Sequence, residues 1–239
     1  MKRSKLELTP RLRLLADWVG EGAAIADVGT DHAYLPVWLV LHGRVASAIA
    51  SDLRPGPLDH ARETGMEYGV SQQVDFRLCD GLSAIGPNEA DTILIAGMGG
   101  ENIADILAAA PWTKDGQHTL LLQPMTRAEV LRRFLSDNGY RILREQLVYD
   151  RGTIYPVLEA TAGKMALSEG QCHGGAALTH DLLGDRYLIE KIVRLQAAVA
   201  GLNRSGSEAD QVKADRQRAL ITDLLTMREE WRHANCSEN

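Results

Sequence analysis

From residue 23 to residue 138, short apolar runs alternate with stretches whose apolar positions recur at helical spacing. Five runs predict strands, at 24–29, 46–52, 74–79, 92–97 and 119–123. Four segments between and after them predict helices, at 34–42, 57–69, 99–110 and 126–138. An earlier helix is predicted from Thr9 as N-cap and Pro10 at the first helical position. Such alternation predicts right-handed βαβ units around a parallel sheet.

The alternation stops after residue 138. Two further strands are predicted at 140–149 and 153–160, joined by a turn at 150–152 that is short enough only for an antiparallel hairpin. Five parallel strands followed by a hairpin form the strand set of a class I methyltransferase. A dehydrogenase domain would usually continue with another βα unit. The predicted fold is therefore α/β, with the Rossmann-like sheet of a class I methyltransferase.

The C-terminal third has a different pattern. Residues 161–177 are rich in Gly, Ser, Ala and Thr and predict an irregular linker. Two apolar stripes follow, at 188–202 and 220–231, with alternating spacings of four and three residues. A polar break at 203–207 separates them, which predicts an antiparallel, coiled-coil-like helical hairpin. We therefore predict two domains, a Rossmann-like catalytic domain at 1–161 and a linker with a helical hairpin at 162–239.

Composition is that of an ordinary globular protein, with 45% hydrophobic and 24% charged residues. The longest apolar stretch, at 35–41, is too short to cross a bilayer, and the N-terminus lacks the apolar core of a signal peptide. Three scattered cysteines, Cys79, Cys172 and Cys236, favour a reducing cytosol over a disulfide framework or a zinc site. We therefore predict a cytoplasmic protein without a membrane segment or a bound metal; a monomer is compatible with these features.

The net charge of −6 is unusual for a protein that binds nucleic acid, because such proteins are more often basic. The N-terminal segment is nevertheless locally basic. Residues 1–18 contain Lys2, Arg3, Lys5, Arg11 and Arg13 against Glu7 and Asp17.

The turn after the first strand, Asp27-Val28-Gly29-Thr30-Asp31, is the most informative segment for chemistry. A glycine here lets the backbone approach a bound nucleotide closely. A pyrophosphate-binding turn would have two further glycines, where this chain has Asp31 and Tyr34. Acidic side chains repel a pyrophosphate but attract a sulfonium ion and an amino group, which favours S-adenosylmethionine over NAD. The alternative is a plain strand-to-helix turn with a capping aspartate.

Two more acids end later strands. Asp52 follows the second strand and is a candidate acceptor for both ribose hydroxyls, although an N-cap aspartate predicts the same residue. Asp80 follows the third strand and is a candidate partner of the adenine amino group. The fourth strand leads into Gly97-Met98-Gly99-Gly100, where bare backbone offers a surface for a purine; an anion-binding helix N-terminus and close packing are the alternatives. No NPPY-type tetrapeptide follows, which argues against alkylation of an exocyclic amine.

With these residues in view, the chain resembles the bacterial tRNA adenine-N1-methyltransferase (TrmK) family. The matching segments are LRLLADWV, ADVGTDHAYLPVWLV, AIASDLRPGPLDHAR, DTILIAGMGGENIADIL, LLLQPMTRAEVLRRFL and GTIYPVLEA. Members of the family often have QPN where this chain has Gln123-Pro124-Met125. The resemblance implies methylation of N1 of adenine 22 in tRNA, with S-adenosyl-L-homocysteine as the product of the cofactor.

This interpretation predicts three groups of site residues. The catalytic candidates are Asp31, His32 and Tyr34. The cofactor candidates are Asp27, Gly29, Thr30, Asp31, His32, Asp52, Leu53, Cys79, Asp80, Gly81, Gly97 and Met98. The substrate candidates are Gly99, Gly100, Gln123, Pro124, Lys5, Arg11, Arg13 and Arg133, and Arg127 and Arg132 are further candidate phosphate donors.

The roles of the catalytic candidates stay open at this point. Asp31 either stabilises the cationic product ring or orients the methionine part of the cofactor. His32 and Tyr34 either shape the base pocket or are packing residues. Two other functions are also compatible with the pattern, a methyltransferase of this fold acting on a small molecule or protein, and a non-catalytic S-adenosylmethionine-binding module.

Overall fold

The computed structural model describes residues 5–205 and 207–236. Its elements, in chain order, are α1 (Pro10–Trp18), β1 (Ala23–Val28), α2 (Tyr34–Leu41), β2 (Val45–Asp52), α3 (Pro55–Tyr68), β3 (Val74–Leu78), β4 (Thr92–Gly99), α4 (Gly100–Ala109), a 3-10 turn (Pro111–Lys114), β5 (Thr119–Thr126), α5 (Ala128–Asp137), β6 (Tyr140–Asp150), β7 (Thr153–Ala162), α6 (Glu169–Gly174), α7 (Gly184–Ser205) and α8 (Glu208–Cys236). Each predicted strand is present, and its ends lie within three residues of the predicted ones.

The seven strands form one sheet in the order β3-β2-β1-β4-β5-β7-β6. Strands β1 to β5 pair in parallel, and β7 pairs antiparallel with β5. In the register of β1, Val28 lies opposite Ser51 of β2 and Ile95 of β4, so these strands end at the same edge. The predicted class I methyltransferase fold is confirmed.

Alternate residues of the strands face opposite sides of the sheet. In β1, Ile25 belongs to an apolar cluster that also contains Leu15 and Leu39, from α1 and α2. Ala26 and Val28 belong to a second cluster on the other side, with residues of α4 and α5. Because helices cover both faces of the central strands, β1, β4 and β5 are buried over most of their length, and polar groups that could bind a ligand lie at the strand ends.

The chain divides into two compact units. The first runs up to Arg144 and includes Val148–Met165, and the second comprises Glu145–Leu147 and the chain from Ala166 onward. In the second unit, Leu188 and Ile192 of α7 pack against Leu220 and Leu224 of α8, as the two apolar stripes predict. A folding boundary between 161 and 162 stays a prediction.

The predicted start of α1 is confirmed, with Thr9 at the N-cap and Pro10 as the first helical residue, although the Thr9 hydroxyl makes no capping hydrogen bond and is buried without a partner. The predicted irregular linker is only partly right, because residues 161–177 contain the end of β7 and the short helix α6. A capping box begins α6: the Ser168 side chain accepts from the Gln171 N–H, and the Gln171 side chain accepts from the Ser168 N–H.

No helix within residues 5–205 and 207–236 is long and apolar enough to span a membrane.

Candidate active site

A cleft of about 540 Å³ opens at the carboxyl ends of β1, β2, β3 and β4. This is the edge at which ligands bind in open α/β sheets. Its lining residues are Val28, Gly29, Asp31, Asp52, Leu53, Arg54, Cys79, Asp80, Gly81, Ala96, Gly97, Met98, Asn102, Asp105 and Ile106. Four of them carry carboxylates and one carries a guanidinium, so the cleft has a negative charge balance.

The turn after β1 is tight and follows a left-handed path. Gly29, Asp31 and Ala33 have φ angles of 71°, 52° and 53°. A positive φ is disfavoured for residues other than glycine, such as Ala33. The hydrogen bonds around the turn hold it in this conformation. The N–H groups of Gly29 and Thr30 both donate to the carbonyl of Ser51, at 2.8 and 2.9 Å. This path leaves the Asp31 side chain 65% exposed at the cleft.

Asp52 connects this turn with the next one. Its side chain is only 7% exposed, and its two carboxylate oxygens accept from different backbone groups. Oδ2 accepts from the Asp31 N–H at 3.3 Å, and Oδ1 accepts from the Arg54 N–H at 3.0 Å. Each carboxylate oxygen has two lone pairs, so Asp52 retains acceptor capacity for a ligand in the cleft. The hydrogen bonds from the two backbone N–H groups fix the orientation of the Asp52 carboxylate.

Asp27 lies behind the turn and does not line the cleft. Its carboxylate accepts a hydrogen bond from the Thr30 hydroxyl. Burial raises the pKa of Asp27 to about 6; the Thr30 hydrogen bond opposes the shift, and the nearby Asp52 charge adds to it. Asp27 and Thr30 therefore stabilise the turn from inside, and direct cofactor contacts of these two residues stay a prediction.

The Asp27 pKa predicts a pH dependence of stability. A folded-state pKa above the unfolded value means that the folded protein binds more protons, so stability falls as pH rises toward and through 6. Asp27→Asn removes this titration while keeping an acceptor for Thr30. Wild type should lose about 1 kcal/mol of its free energy of unfolding between pH 5 and pH 7 through this group, and the variant should not. The difference in free energy of unfolding, variant minus wild type, should therefore be about 1 kcal/mol larger at pH 7 than at pH 5. Urea titrations at both pH values measure this difference; a constant difference would contradict the shift.

The glycines after β4 have separate structural reasons. Gly97 has a φ angle of 79° and an open space where a side chain would start, facing the cleft. A Cβ on Gly100 would lie 2.2 Å from the carbonyl oxygen of Arg127, and one on Gly99 would lie 3.3 Å from Oγ1 of Thr126. Close packing against the end of β5 therefore accounts for Gly99 and Gly100. Gly100 is buried and offers no surface to a purine, whereas a purine contact at Gly99 stays a prediction and the backbone of Gly97 is accessible.

A buried polar network supports the Gly97 turn from behind. Gln123 is fully buried, and its Oε1 accepts from Nη1 of Arg11 at 2.6 Å and from the Gly97 N–H at 3.3 Å. Nε of Arg11 donates to Asp150 at 2.8 Å. The Gln123 amide also donates to the carbonyl of Pro124, which is itself buried. Gln123 and Arg11 thus position the cleft wall behind Gly97, and substrate contacts of Gln123, Pro124 and Arg11 stay a prediction.

The network predicts that Arg11 needs a guanidinium and not merely a positive charge. Lysine has no planar fork and cannot reach Asp150 and Gln123 with the same geometry. We expect Arg11→Lys to lower the free energy of unfolding by about 1–2 kcal/mol, because one buried acceptor loses its donor. Denaturant titration measures the loss, and Arg13→Lys, on the same helix but with an exposed side chain, is the matched control. Equal stability of the two variants would contradict the role of the fork.

The three catalytic candidates lie together at the rim. His32 and Tyr34 are 41% and 42% exposed, and their rings stack with centroids 5.2 Å apart. Nε2 of His32 lies 3.9 Å from a carboxylate oxygen of Asp31. Their exposure argues against an ordinary packing role. Of the three, only Asp31 lines the cleft.

Nine of the twelve cofactor candidates line the cleft, and Asp27, Thr30 and His32 do not. The structure adds six lining residues, Val28, Arg54, Ala96, Asn102, Asp105 and Ile106. Asn102, Asp105 and Ile106 lie on one face of α4, because Asp105 and Ile106 follow Asn102 by three and four residues. Once the glycine-rich turn before α4 is known to line the cleft, helical spacing is enough to predict these residues.

The basic residues predicted to contact phosphates differ in their exposure to solvent. Lys5 is exposed and Arg13 is 57% exposed, whereas Arg132 is fully buried and cannot meet RNA, which corrects that prediction. Arg127 is 56% exposed and pairs with Glu101 and Glu129. Arg133 is half-buried on α5. Lys2 and Arg3 lie outside the described residues.

Comparison with known proteins agrees with this geometry. A family model for a methyltransferase domain matches residues 8–158. A Bacillus subtilis tRNA (adenine(22)-N(1))-methyltransferase is 39% identical over 160 residues, which span 67% of each chain. The crystal structure of the B. subtilis m1A22 tRNA methyltransferase TrmK superposes with a TM-score of 0.87 at 29% identity, covering 94% of this chain and 100% of that one. The M. capricolum TrmK complex with S-adenosyl-homocysteine superposes with a TM-score of 0.80 at 25% identity, covering 94% and 99%.

The sheet topology and the acid-lined cleft define a Rossmann-like, class I methyltransferase. Within that class, the identity to the B. subtilis enzyme and the structural agreement over nearly the whole chain are decisive. The chain belongs to the TrmK family.

Proposed function

We propose that this protein transfers the methyl group of S-adenosylmethionine to N1 of adenine 22 in tRNA. The observation that carries the proposal is the acid-lined cleft at the ends of β1 to β4, in a chain that shares 39% identity with the B. subtilis enzyme of that activity. Four carboxylates and a single guanidinium suit a ligand with a sulfonium and an ammonium group, and they disfavour a pyrophosphate.

The cofactor parts are assigned to residues by position and chemistry. Asp52, held by two backbone N–H groups, is the acceptor for the ribose hydroxyls. Asp80, exposed at the end of β3, accepts from the adenine amino group. Gly29 lines the cleft beside the methionine part, where a residue without a side chain allows close approach of the ligand. When bound, the cofactor supplies a methyl group made electrophilic by a sulfonium ion.

The chain has to orient the acceptor and stabilise charge. Adenine N1 attacks with an in-plane lone pair, so no side chain has to remove a proton first. Forming the N1–CH3 bond while the S–CH3 bond breaks moves the positive charge from sulfur to the purine ring. Alignment can contribute up to roughly 7–11 kcal/mol when geometry is ideal. We assign the stabilisation of the developing ring charge to the carboxylate of Asp31, because it is exposed and lines the cleft.

Access to N1 requires an unpaired or everted base, because N1 lies on the pairing edge. Phosphate contacts then hold the RNA in position. Lys5 and Arg13 are exposed cations of the first unit and suit this task, and Arg133 remains a candidate.

The acceptor class is tested by methyl transfer from tritiated cofactor into three separate acceptors: bulk tRNA, protein extract and small metabolites. We expect label in tRNA alone. Label in protein or metabolites, with none in tRNA, would show that the site serves another acceptor and would overturn the proposed substrate.

A further inference from the structure

Three exposed aromatic rings form a stack beside the cleft. His32 stacks on Tyr34 with centroids 5.2 Å apart and planes within 10°, and on its other side it stacks on His60 at 5.1 Å and 12°. Tyr34 is 42% exposed, His32 is 41% exposed, and His60 is also exposed. The arrangement is therefore a solvent-facing stack of flat rings and not part of an apolar core.

Two separate elements build this stack. His32 lies between Asp31 and Ala33, two of the four described non-glycine residues with a left-handed backbone, and Tyr34 begins α2. His60 lies on α3, in a different part of the sequence. Within the described part of the chain, the side chains of Tyr34 and His60 make no hydrogen bond to a protein group, so hydrogen bonding does not account for the orientation of their rings. The strained turn aims His32 at a ring supplied by another helix.

We propose that the Tyr34–His32–His60 stack is a binding site for a nucleobase of the RNA substrate that neighbours the methylated adenine. The inference rests on the proposed function. Everting one base removes the stacking partner of the next, and protein rings replace such partners in single-stranded RNA. Stacking accepts any base, because every base has a flat π face.

The position of the stack fits a neighbour of the target base and not the target itself. Its central ring approaches Asp31 at 3.9 Å, and Asp31 lines the cleft where the methyl group is transferred. His60 lies beyond His32 and does not line the cleft. Both faces of His32 are covered by its two neighbours, so the base stacks on the outer face of His60. It is therefore held next to the transfer site, outside the cofactor cleft.

The test is a kinetic comparison of His60 variants in the full-length enzyme. We expect His60→Ala to raise KM for tRNA about five- to tenfold, the lower part of the range for loss of one base–ring stack. Turnover at saturating tRNA and the Kd for S-adenosylmethionine should stay at wild-type values. His60→Phe keeps a flat ring without its nitrogen atoms and should restore KM. Met66→Ala, an exposed change on the same helix, is the matched control and should leave KM unchanged.

Three results would overturn the site. An unchanged KM in His60→Ala would show that no base rests there. An equal loss in His60→Ala and His60→Phe would show that stacking is not the interaction. A loss confined to turnover would place His60 in the chemical step. Failure of the proposed function is a separate result, because it would appear as absent tRNA methylation in the wild-type enzyme, before any variant is compared.

Discussion

Asp31→Asn is expected to lower the turnover number for tRNA methylation by about 100-fold, while the Kd for S-adenosylmethionine changes less than about fivefold. Asparagine has the size of aspartate but no charge, so it removes the stabilisation of the cationic adenine ring as the methyl group arrives. The exposed position of Asp31 at the cleft makes this role possible. Single-turnover rates with saturating tRNA, together with calorimetric binding of the cofactor, measure the two quantities separately.

A proportional fall in turnover and cofactor affinity would contradict that role. It would show that Asp31 serves to hold the methionine part of the cofactor. Arg54→Gln is a useful comparison, because Arg54 also lines the cleft and is 74% exposed, but carries the opposite charge. Loss of a positive charge there should not slow the formation of a cationic product.

Asp52→Ala is expected to weaken S-adenosylmethionine binding about 10- to 100-fold. The variant removes the charged acceptor for the ribose hydroxyls, and a charge-assisted hydrogen bond contributes roughly 1.5–3 kcal/mol. It also removes the two bonds that tie the Asp31 and Arg54 N–H groups to this carboxylate. Isothermal calorimetry measures the affinity directly.

Asp80→Ala is the comparison for Asp52→Ala. Asp80 is exposed and contacts only one edge of the adenine in the proposed arrangement, so its loss should weaken binding less. A larger loss for Asp80→Ala than for Asp52→Ala, or unchanged affinity in Asp52→Ala, would remove Asp52 from the ribose site.

Much of the fold follows from hydrophobic periodicity alone. The central strands β1, β4 and β5 are buried on both faces and bounded by polar turns, so their positions can be predicted from the sequence. The end of β4 is an exception, since pairing continues to Gly99 through register shifts after Ala96. Gly97 and Gly99 have no side chains, so no alternation of apolar and polar residues reveals that the strand continues to Gly99. The capping box that begins α6, Ser168 and Gln171, was visible in the sequence but lies in a segment whose composition indicates a linker.

The site was less predictable than the fold, for identifiable reasons. Acids at strand ends are local features, and Asp31, Asp52 and Asp80 do reach the same cleft. The role of Gln123 depends on Arg11, more than a hundred residues earlier, and on the backbone of Gly97. Neither pairing leaves a local pattern. The same holds for His60, which meets His32 only because α3 packs beside the turn after β1.

Methylation of adenine 22 is tested by locating the methyl group on a defined tRNA. Unmodified tRNA with adenine at position 22 is incubated with the enzyme and S-adenosylmethionine, beside a transcript in which that adenine is replaced by guanine. A methyl group on N1 blocks base pairing, so reverse transcription stops at the modified base. We expect a stop at position 22 in the first transcript, and neither a stop nor methyl incorporation in the second. Equal incorporation into both transcripts, or a stop elsewhere, would contradict this expectation.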